Sequence, residues 1–241
     1  TSLCCGSNPA MVGELDAYGG LKTPDVHIEA LQQLLDALKP SAVTDLDISA
    51  IGIGPTGVGR VADYIRDAKA SIVTINISQS KIGVEGGQAI VEALKTTTLE
   101  SIVIGNDLTL QLKGELESDS FDASGQSIDP GYAMIMAWWL TTPVTASLTS
   151  LCCGSNPIKD EGMAVLLDAV KGIGLIEFDI SKTSIGPPTA KKLAEVLSDA
   201  TPFTASLKVV NLSECPLTGA TWNDELNDYD GGWENIDSDM T

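Results

Sequence analysis

The chain has 241 residues, 43% of them hydrophobic, and a formal net charge of −19. The apolar fraction is ample for a folded core. The acidic excess argues against nucleic acid or an anionic membrane surface as a partner, because both attract clustered lysine and arginine side chains. No apolar run approaches the roughly 20 residues that span a bilayer, and the longest, 133–140, is far too short. We therefore expect no direct membrane insertion.

The chain opens on nine residues, TSLCCGSNP at 1–9, that recur without change at 149–157. A verbatim internal repeat of this length indicates a repeat architecture. Apolar residues around the second copy are spaced by three, two, three and two residues, and the same ladder recurs with other residues along the chain. The central positions of these ladders are Leu3, Leu46, Ile75, Ile102, Phe121, Leu151, Phe178 and Val210, and most steps between them measure 27 to 32 residues.

Between successive ladders the apolar period changes to the i, i+3, i+4, i+7 pattern of an amphipathic helix. Loops rich in Gly and Pro precede these stretches and mark a turn from strand to helix. The first helix is predicted over about Pro24 to Leu38, and the later helices have apolar stripes that include Val61, Ala89, Met136, Leu166 and Leu193. For the last of them the predicted stripe is Ala190, Leu193, Ala194 and Leu197.

The segment 98–130 is irregular. Leu108, Leu110 and Leu112 alternate with polar residues there without any helical pattern, and the ladder positions Ile102 and Phe121 are only 19 residues apart. Because this step leaves no room for a full helix, we expect an extended loop or hairpin and a break in the layer of helices, of the kind that contacts partners. A decayed repeat is the alternative. Residues 1–219 are then one repeat domain, and 220–241 an acidic, aromatic C-terminal cap or arm.

The ladders and the intervening helices resemble leucine-rich repeats of the ribonuclease-inhibitor-like type, in a degenerate form similar to repeats of single-celled algae. The resemblance implies an α/β solenoid, or horseshoe, in which about eight short parallel strands line a concave sheet and helices cover the convex side. It extends over nearly the whole chain up to about Gly219.

The five cysteines lie at repeat positions rather than at the spacings of a disulfide framework. This pattern favours free thiols and an intracellular, reducing compartment such as the cytoplasm or an organelle lumen like the stroma. Cys4 and Cys152 are predicted on the concave face, where redox chemistry, a vicinal disulfide or a soft metal is the alternative to an ordinary thiol. The first residues show no targeting segment and no initiator methionine, so we expect Thr1 to be a processed or truncated start.

Motifs for catalysis or cofactor binding are weak. Residues 52–57 read GIGPTG, which matches the dinucleotide-binding pattern between a strand and a helix, but the acidic residue that would bind the ribose is missing after the next strand. The repeat itself accounts for these glycines. The only histidine, His27, is predicted at the start of the first helix, on the convex side. We expect no catalytic residues, no cofactor and no metal.

The predicted concave face is mostly acidic. Residues between ladder positions point outward from a strand, and those of like charge on adjacent strands repel one another. Their presence favours a basic partner, although they could instead only solubilise the sheet. Trp138, at the edge of an apolar helix stripe, adds an aromatic contact typical of interfaces. The candidate partner-binding residues are Asp45, Asp47, Asn76, Glu100, Asp122, Glu177, Asp179, Asn211 and Trp138, with Asp119 and Lys208 also predicted on this surface.

The sequence therefore predicts a non-enzymatic protein-interaction module, a structural or adaptor subunit of a larger assembly that binds a protein with a basic surface. Two alternatives come from other classes. One is a GTPase-activating regulator similar to the Ran GTPase activator, which combines this repeat type with an acidic tail. The other is a redox or cysteine-dependent enzyme that uses Cys4 or Cys152.

Overall fold

The computed structural model describes residues 1–67, 71–222 and 233–235. Within these ranges short strands alternate with helices. The elements in chain order are β1 (Ser2–Cys4), β2 (Glu14–Leu15), β3 (Leu21–Thr23), α1 (Ile28–Leu38), β4 (Asp45–Asp47), α2 (Pro55–Arg66), β5 (Thr74–Asn76), α3 (Gly83–Leu94), β6 (Ser101–Ile104), β7 (Leu108–Gln111), β8 (Ser120–Asp122), α4 (Pro130–Leu140), a 3₁₀ turn (Pro143–Thr145), β9 (Ser150–Cys152), α5 (Lys159–Val170), β10 (Glu177–Asp179), α6 (Pro187–Ser198), α7 (Pro202–Ser206), β11 (Val209–Asn211), β12 (Ala220–Trp222) and β13 (Trp233–Asn235).

Each predicted ladder contributes one parallel strand, but the strands form two sheets instead of one. The first sheet has the order β1-β4-β5-β6-β7 and the second has the order β11-β10-β9-β8. Strand β7 pairs antiparallel with β6 and thereby takes the edge where β8 would continue the first sheet. The prediction of one continuous parallel sheet of about eight strands is therefore wrong, because among the described residues β6 and β8 are not paired.

The central ladder residues lie opposite one another in register. Leu46 faces Ile75 and Ile75 faces Ile102 in the first sheet, while Leu151 faces Phe178 in the second. All five are at most 2% exposed, because the helices cover this side of both sheets. Burial of each such side chain contributes about 1.5–3 kcal/mol of hydrophobic stabilisation. The ladder is thus the core of the protein.

The helices follow the predicted apolar stripes with one exception. Helix α2 buries Val58, Val61, Ala62 and Ile65 as expected. In α6, the buried residues are Thr189, Leu193 and Val196, whereas Leu197 is 44% exposed. The predicted stripe is rotated because α6 is followed by the five-residue helix α7 and not by another long helix, so its far side stays open.

The predicted break in the layer of helices is wrong, because α3 and α4 pack directly against each other across the irregular segment. Their contact depends on glycines. A methyl group on Gly87 would lie 2.3 Å from the carbonyl oxygen of Gly131, and one on Gly131 would lie 2.2 Å from the carbonyl oxygen of Gly83. The backbones therefore approach more closely than any larger residue allows. The irregularity interrupts the sheet and leaves the helices continuous.

Two further strand pairs lie outside the two parallel sheets. Strands β2 and β3 form an antiparallel hairpin between β1 and α1, in the longest step between ladders. Strands β12 and β13 pair antiparallel within the predicted arm at 220–241, and the rest of that arm lies outside the described residues. None of the helices in the described ranges is long and apolar enough to cross a membrane.

Candidate functional site

The face of the two sheets opposite the helices corresponds to the predicted concave face. We call it the strand face and define it by the first and third residues of each parallel strand, which flank the buried central residue. Strand β6 has four residues, and it also contributes its first and third. The first positions are Ser2, Asp45, Thr74, Ser101, Ser120, Ser150, Glu177 and Val209, and the third positions are Cys4, Asp47, Asn76, Val103, Asp122, Cys152, Asp179 and Asn211.

The strand face carries carboxylates that form no ion pair with any residue that the structure describes. Its acidic residues are Asp45, Asp47, Asp122, Glu177 and Asp179, and it has no lysine, arginine or histidine. The ion pairs among the described residues lie on the helices, on the β2–β3 hairpin and in the loop after β10. The carboxylates of this face therefore contribute a negative potential that no lysine, arginine or histidine of the same face offsets.

The third-position carboxylates and amides also have a structural role that the sequence interpretation missed. Asp47 Oδ1 accepts a hydrogen bond from the backbone N–H of Ser49, 2.9 Å away, and Asn76 Oδ1 accepts one from Ser78 at the same distance. The same turn recurs at Asp122, Asp179 and Asn211 with Ser124, Ser181 and Ser213. Such turns hold the backbone where each strand ends. The recurrent Asp/Asn-x-Ser pattern is visible in the sequence and could have indicated them.

These bonds shift the carboxyl groups towards their charged form. Burial alone would raise the pKa of Asp47, but hydrogen bonds from the Ser49 backbone and hydroxyl and from the Cys4 thiol outweigh it and lower that pKa. For Asp179 the effect of burial is likewise exceeded by Ser181 and Asn211, and its pKa is also lowered. The hydrogen bonds from Ser124 lower the pKa of Asp122. All three carboxylates are thus held as anions.

Two cysteines lie among these carboxylates, one in each sheet. The Cys4 thiol is 3.3 Å from Asp47 Oδ2 and donates to it. Cys152 lies in register between Asp122 and Asp179. Burial raises the pKa of the Cys152 thiol, and the two neighbouring carboxylates raise it further. Because the thiolate is the nucleophilic form, this environment disfavours cysteine chemistry at Cys152.

A groove of about 270 Å³ follows the strand face of the second sheet. Ser150 and Cys152 of β9, Glu177 and Asp179 of β10, and Val209 and Asn211 of β11 line it. Asn211 Nδ2 donates to Asp179 Oδ2 over 2.8 Å and Ser181 donates to Asp179 Oδ1, so both oxygens of this carboxylate accept hydrogen bonds, whereas Glu177 is exposed. The groove offers a charged wall beside the apolar side chain of Val209, which is 51% exposed.

Several predicted site residues are not part of the strand face. Glu100 and Asp119 are exposed one residue before β6 and β8, and Lys208 one residue before β11. Trp138 lies on the opposite side of the protein, half-buried on α4. It lines a groove of about 430 Å³ between α3, α4 and α5 together with Val91, Met134 and Val165. The structure therefore places the acidic residues on the strand side of the two sheets, with β4 in the first and β8 and β10 in the second, and Trp138 on the helix side.

In the glycine-rich residues 52–57, the backbone donors at the start of α2 are already engaged by a side chain of the protein. The Asp25 carboxylate accepts from the backbone N–H groups of Gly54, Thr56 and Gly57, at 2.8, 3.0 and 3.1 Å. These are the groups at the start of α2 that would bind a dinucleotide. His27 is exposed at the N-cap of α1, as predicted. In the described part of the chain, no cluster of three or more His, Cys, Asp or Glu side chains is arranged to hold a metal ion.

Comparisons with known proteins give little similarity. No family model matches the chain. No curated protein matches it. Among solved structures, the crystal structure of a TLR13–ssRNA13 complex is similar over 73% of this chain and 20% of that chain, with 19% sequence identity and a TM-score of 0.26. The chain therefore spans about a fifth of the length of that protein.

Proposed function

We propose that the chain is a leucine-rich-repeat-type module without enzymatic activity, which binds a basic protein through the strand face as a structural or adaptor subunit of a larger assembly. Alternating parallel strands and helices, with one buried ladder residue per strand, support this class. The observation that carries the binding proposal is the set of five carboxylates on the strand face that form no ion pair with a described residue.

The same strand positions argue for a partner rather than for solubility alone. The third-position Asp47 and Asp179 form turns that Asn76 and Asn211 form equally well at equivalent positions. The turn thus explains why an Asp or an Asn occupies the third position of these strands, but it does not require a negative charge there. Asp45 and Glu177 make no such turn, since Asp45 only accepts from the neighbouring Thr44 hydroxyl. The charge itself is what a basic partner would recognise.

The absence of catalysis is part of the proposal. The thiol most suited to chemistry by its position, Cys152, has its pKa raised by burial and by two carboxylates. The other accessible candidate, Cys4, donates a hydrogen bond to Asp47, a carboxylate whose lowered pKa makes it a weak base. A nucleophilic cysteine needs the opposite surroundings, with a cation or a helix N-terminus close to the sulfur.

The test compares two variants that carry the same net charge. One combines Asp45→Asn, Asp47→Asn, Glu177→Gln and Asp179→Asn on the strand face, and the other combines Glu29→Gln, Glu85→Gln, Glu161→Gln and Glu195→Gln on exposed helix positions. Both change the formal charge from −19 to −15, that is, by four units. The acidic residues at 224–239 stay in both, so their attraction for a basic probe cancels.

The probe is fluorescein-labelled nona-arginine, with its dissociation constant measured by anisotropy at low and moderate salt. Each lost charge contact costs about 0.2–1 kcal/mol, so we expect the strand-face variant to bind about tenfold more weakly or worse. The helix variant should stay within about twofold of the wild type. Equal weakening of the two variants would show that only net charge matters and would refute the proposed face.

A further inference from the structure

The interruption of the sheet leaves a cleft on the strand side of the protein between β7 and β8. Its volume is about 240 Å³. Each of the two strands is the last in its sheet, so each turns an edge without a partner strand towards this cleft. Unpaired strand edges are normally covered or blocked, because their N–H and C=O groups recruit another strand. The residues around the cleft are Thr109, Gln111, Leu116, Glu117, Ser120 and Phe121.

The edge of β7 presents its backbone groups at Thr109 and Gln111. The N–H of Leu112 donates to the carbonyl of Glu100 on the β6 side. Since successive residues of an antiparallel strand point to alternate sides, Thr109 and Gln111 direct their N–H and C=O away from β6. The indole N–H of Trp139 donates to the Gln111 carbonyl over 2.7 Å, which agrees with this direction. Among the described residues, none outside the β6–β7 ladder forms a hydrogen bond with the N–H or C=O of Thr109.

The edge of β8 is equally accessible. The carbonyl of Asp119 and the N–H of Ala123 bond to the β9 side, at Thr149 and Cys152. By the same alternation, Ser120 and Asp122 direct their backbone groups towards the cleft. The Ser118 hydroxyl accepts from the Ser120 N–H over 3.1 Å, and the Asp122 N–H faces the cleft. Two strand edges thus border one opening.

The surroundings of the cleft select the side chains of an occupant. Half-buried Phe121 stands at the base, its ring centroid 4.6 Å from that of Trp139, and half-buried Leu116 lies beside it. The segment leading to β8 contributes the exposed carboxylates Glu115, Glu117 and Asp119. An extended segment alternates its side chains between two sides. One set would therefore meet the aromatic base, and the other would meet the carboxylates.

We propose that this cleft binds an extended segment of a partner protein in which apolar and basic residues alternate, and that the segment adds as a β-strand to the edge of β7 or β8. The basic character of the partner rests on the proposed function of the strand face. The backbone pairing is independent of it, because it depends on the edge N–H and C=O groups that have no partner among the described residues, such as those of Thr109, and on no charge. Apolar side chains contact Phe121, and lysine or arginine side chains contact Glu117 and its acidic neighbours.

The test uses a labelled peptide of alternating lysine and valine, together with two versions that are N-methylated either at the valine amides or at the lysine amides. All three carry the same charge and side chains, and only the backbone donors differ. We expect at least one methylated form to bind the full chain tenfold more weakly. Equal affinity of the three peptides, or no binding of any, would overturn strand addition. The nona-arginine comparison would still decide the strand-face proposal on its own.

A pair of variants tests the position of the peptide. Thr109→Pro removes a donor at the cleft edge and leaves the donors of Leu108, Leu110 and Leu112 towards β6 intact, whereas Thr109→Val keeps the N–H and removes only the hydroxyl. We expect Thr109→Pro to weaken binding of the unmethylated peptide at least fivefold. Thr109→Val should leave the affinity for this peptide unchanged, and neither variant should change the affinity for nona-arginine. If Thr109→Pro does not fold, amide hydrogen exchange in the wild type decides: bound peptide should slow exchange at Thr109 and Asp122, and unchanged exchange at both would contradict the proposal.

Discussion

The two copies of the nine-residue segment have one sequence and two environments. The copy at 1–9 contains β1, which is at the edge of the first sheet, and the copy at 149–157 contains β9, which is between β8 and β10. Cys153 is fully buried, whereas its counterpart Cys5 is half-buried. Asn156 is 1% exposed, whereas Asn8 is exposed. Because the residues are identical, neighbouring repeats alone decide which of them become core.

One feature is shared by both copies. A methyl group on Gly6 would lie 2.7 Å from the Ser49 hydroxyl, and one on Gly154 would lie 3.0 Å from the Ser181 hydroxyl. Each copy therefore packs its glycine against an Asp-x-Ser turn of the following parallel strand. The strand face is built in the same way at both places, although the cores beneath differ.

The largest difference between the copies is expected at the asparagine. The Asn156 amide donates to the carbonyls of Ala123, Cys153 and Gly154, and its Oδ1 accepts from the Ile128 N–H. Asn156→Ala would leave these buried groups without partners, so we expect a loss of about 3–5 kcal/mol in the free energy of unfolding. Urea denaturation followed by circular dichroism measures it.

The control for that substitution is Asn8→Ala, at the same position of the exposed copy. We expect it to change the free energy of unfolding by less than about 0.5 kcal/mol. A similar loss for both variants would mean that the two environments are alike, contrary to the described burial.

The second expected difference concerns the inner cysteines. Cys153→Ser would place a hydroxyl in an apolar, fully buried site and should cost about 1–3 kcal/mol, whereas Cys5→Ser should cost less than about 1 kcal/mol because Cys5 is half-buried. Thiol labelling adds a second readout, since burial raises the pKa of Cys153 and slows its reaction. Labelling of Cys153 as fast as Cys4 in the folded protein would refute this difference.

The Asp-x-Ser turns beside the two copies should respond alike. Asp47→Ala and Asp179→Ala each remove an acceptor for a serine N–H, so we expect each to cost about 1–2 kcal/mol. Asp47→Asn should cost less than about 0.5 kcal/mol, because Asn76 and Asn211 already form this turn. Asp179→Asn should cost about 0.5–1.5 kcal/mol, because it also loses the hydrogen bond from Asn211 Nδ2. If the Asn variants were as unstable as the Ala variants, the charge itself would stabilise the fold.

The smallest effect is a shift in acid sensitivity. The pKa values of Asp47, Asp122 and Asp179 are lowered in the folded protein. Their contribution to stability is therefore present above the unfolded value of about 3.9 and is lost as pH falls through the lower folded values. We expect Asp47→Asn with Asp179→Asn to flatten the pH dependence of the melting temperature below about pH 4. An unchanged profile would contradict the lowered pKa values.

The repeat pattern predicts the buried side of the fold well. Leu46, Ile75 and Phe178 lie where the ladder spacing places them, because burial of one residue per strand follows directly from the period of the pattern. The hairpin predicted within 98–130 is confirmed, because β6 and β7 pair antiparallel across a short loop. The end of the first sheet at β7, and the start of a second sheet at β8, depend on packing that local periodicity does not encode.

The candidate site was predicted only in part, for two physical reasons. Alternation along a strand places Asp45 and Glu177 outward, and this needs no knowledge of neighbouring strands. Trp138 faces away from them because a helix residue near the edge of an apolar stripe points to a neighbouring helix, here across the groove with Val91 and Val165. The sequence spacing does not show which side of the helix layer Trp138 faces, because this depends on how the helices pack.

The most direct test of acidic recognition by the strand face is to locate the bound probe. Backbone amide shifts of the isotope-labelled protein, recorded by NMR during titration with nona-arginine, report where the probe lies. We predict the largest changes in β4, β5, β9 and β10 and in the Asp-x-Ser turns after them, with helices α1 to α6 nearly unaffected. Changes concentrated on the helices, with the strands unchanged, would contradict recognition by the strand face.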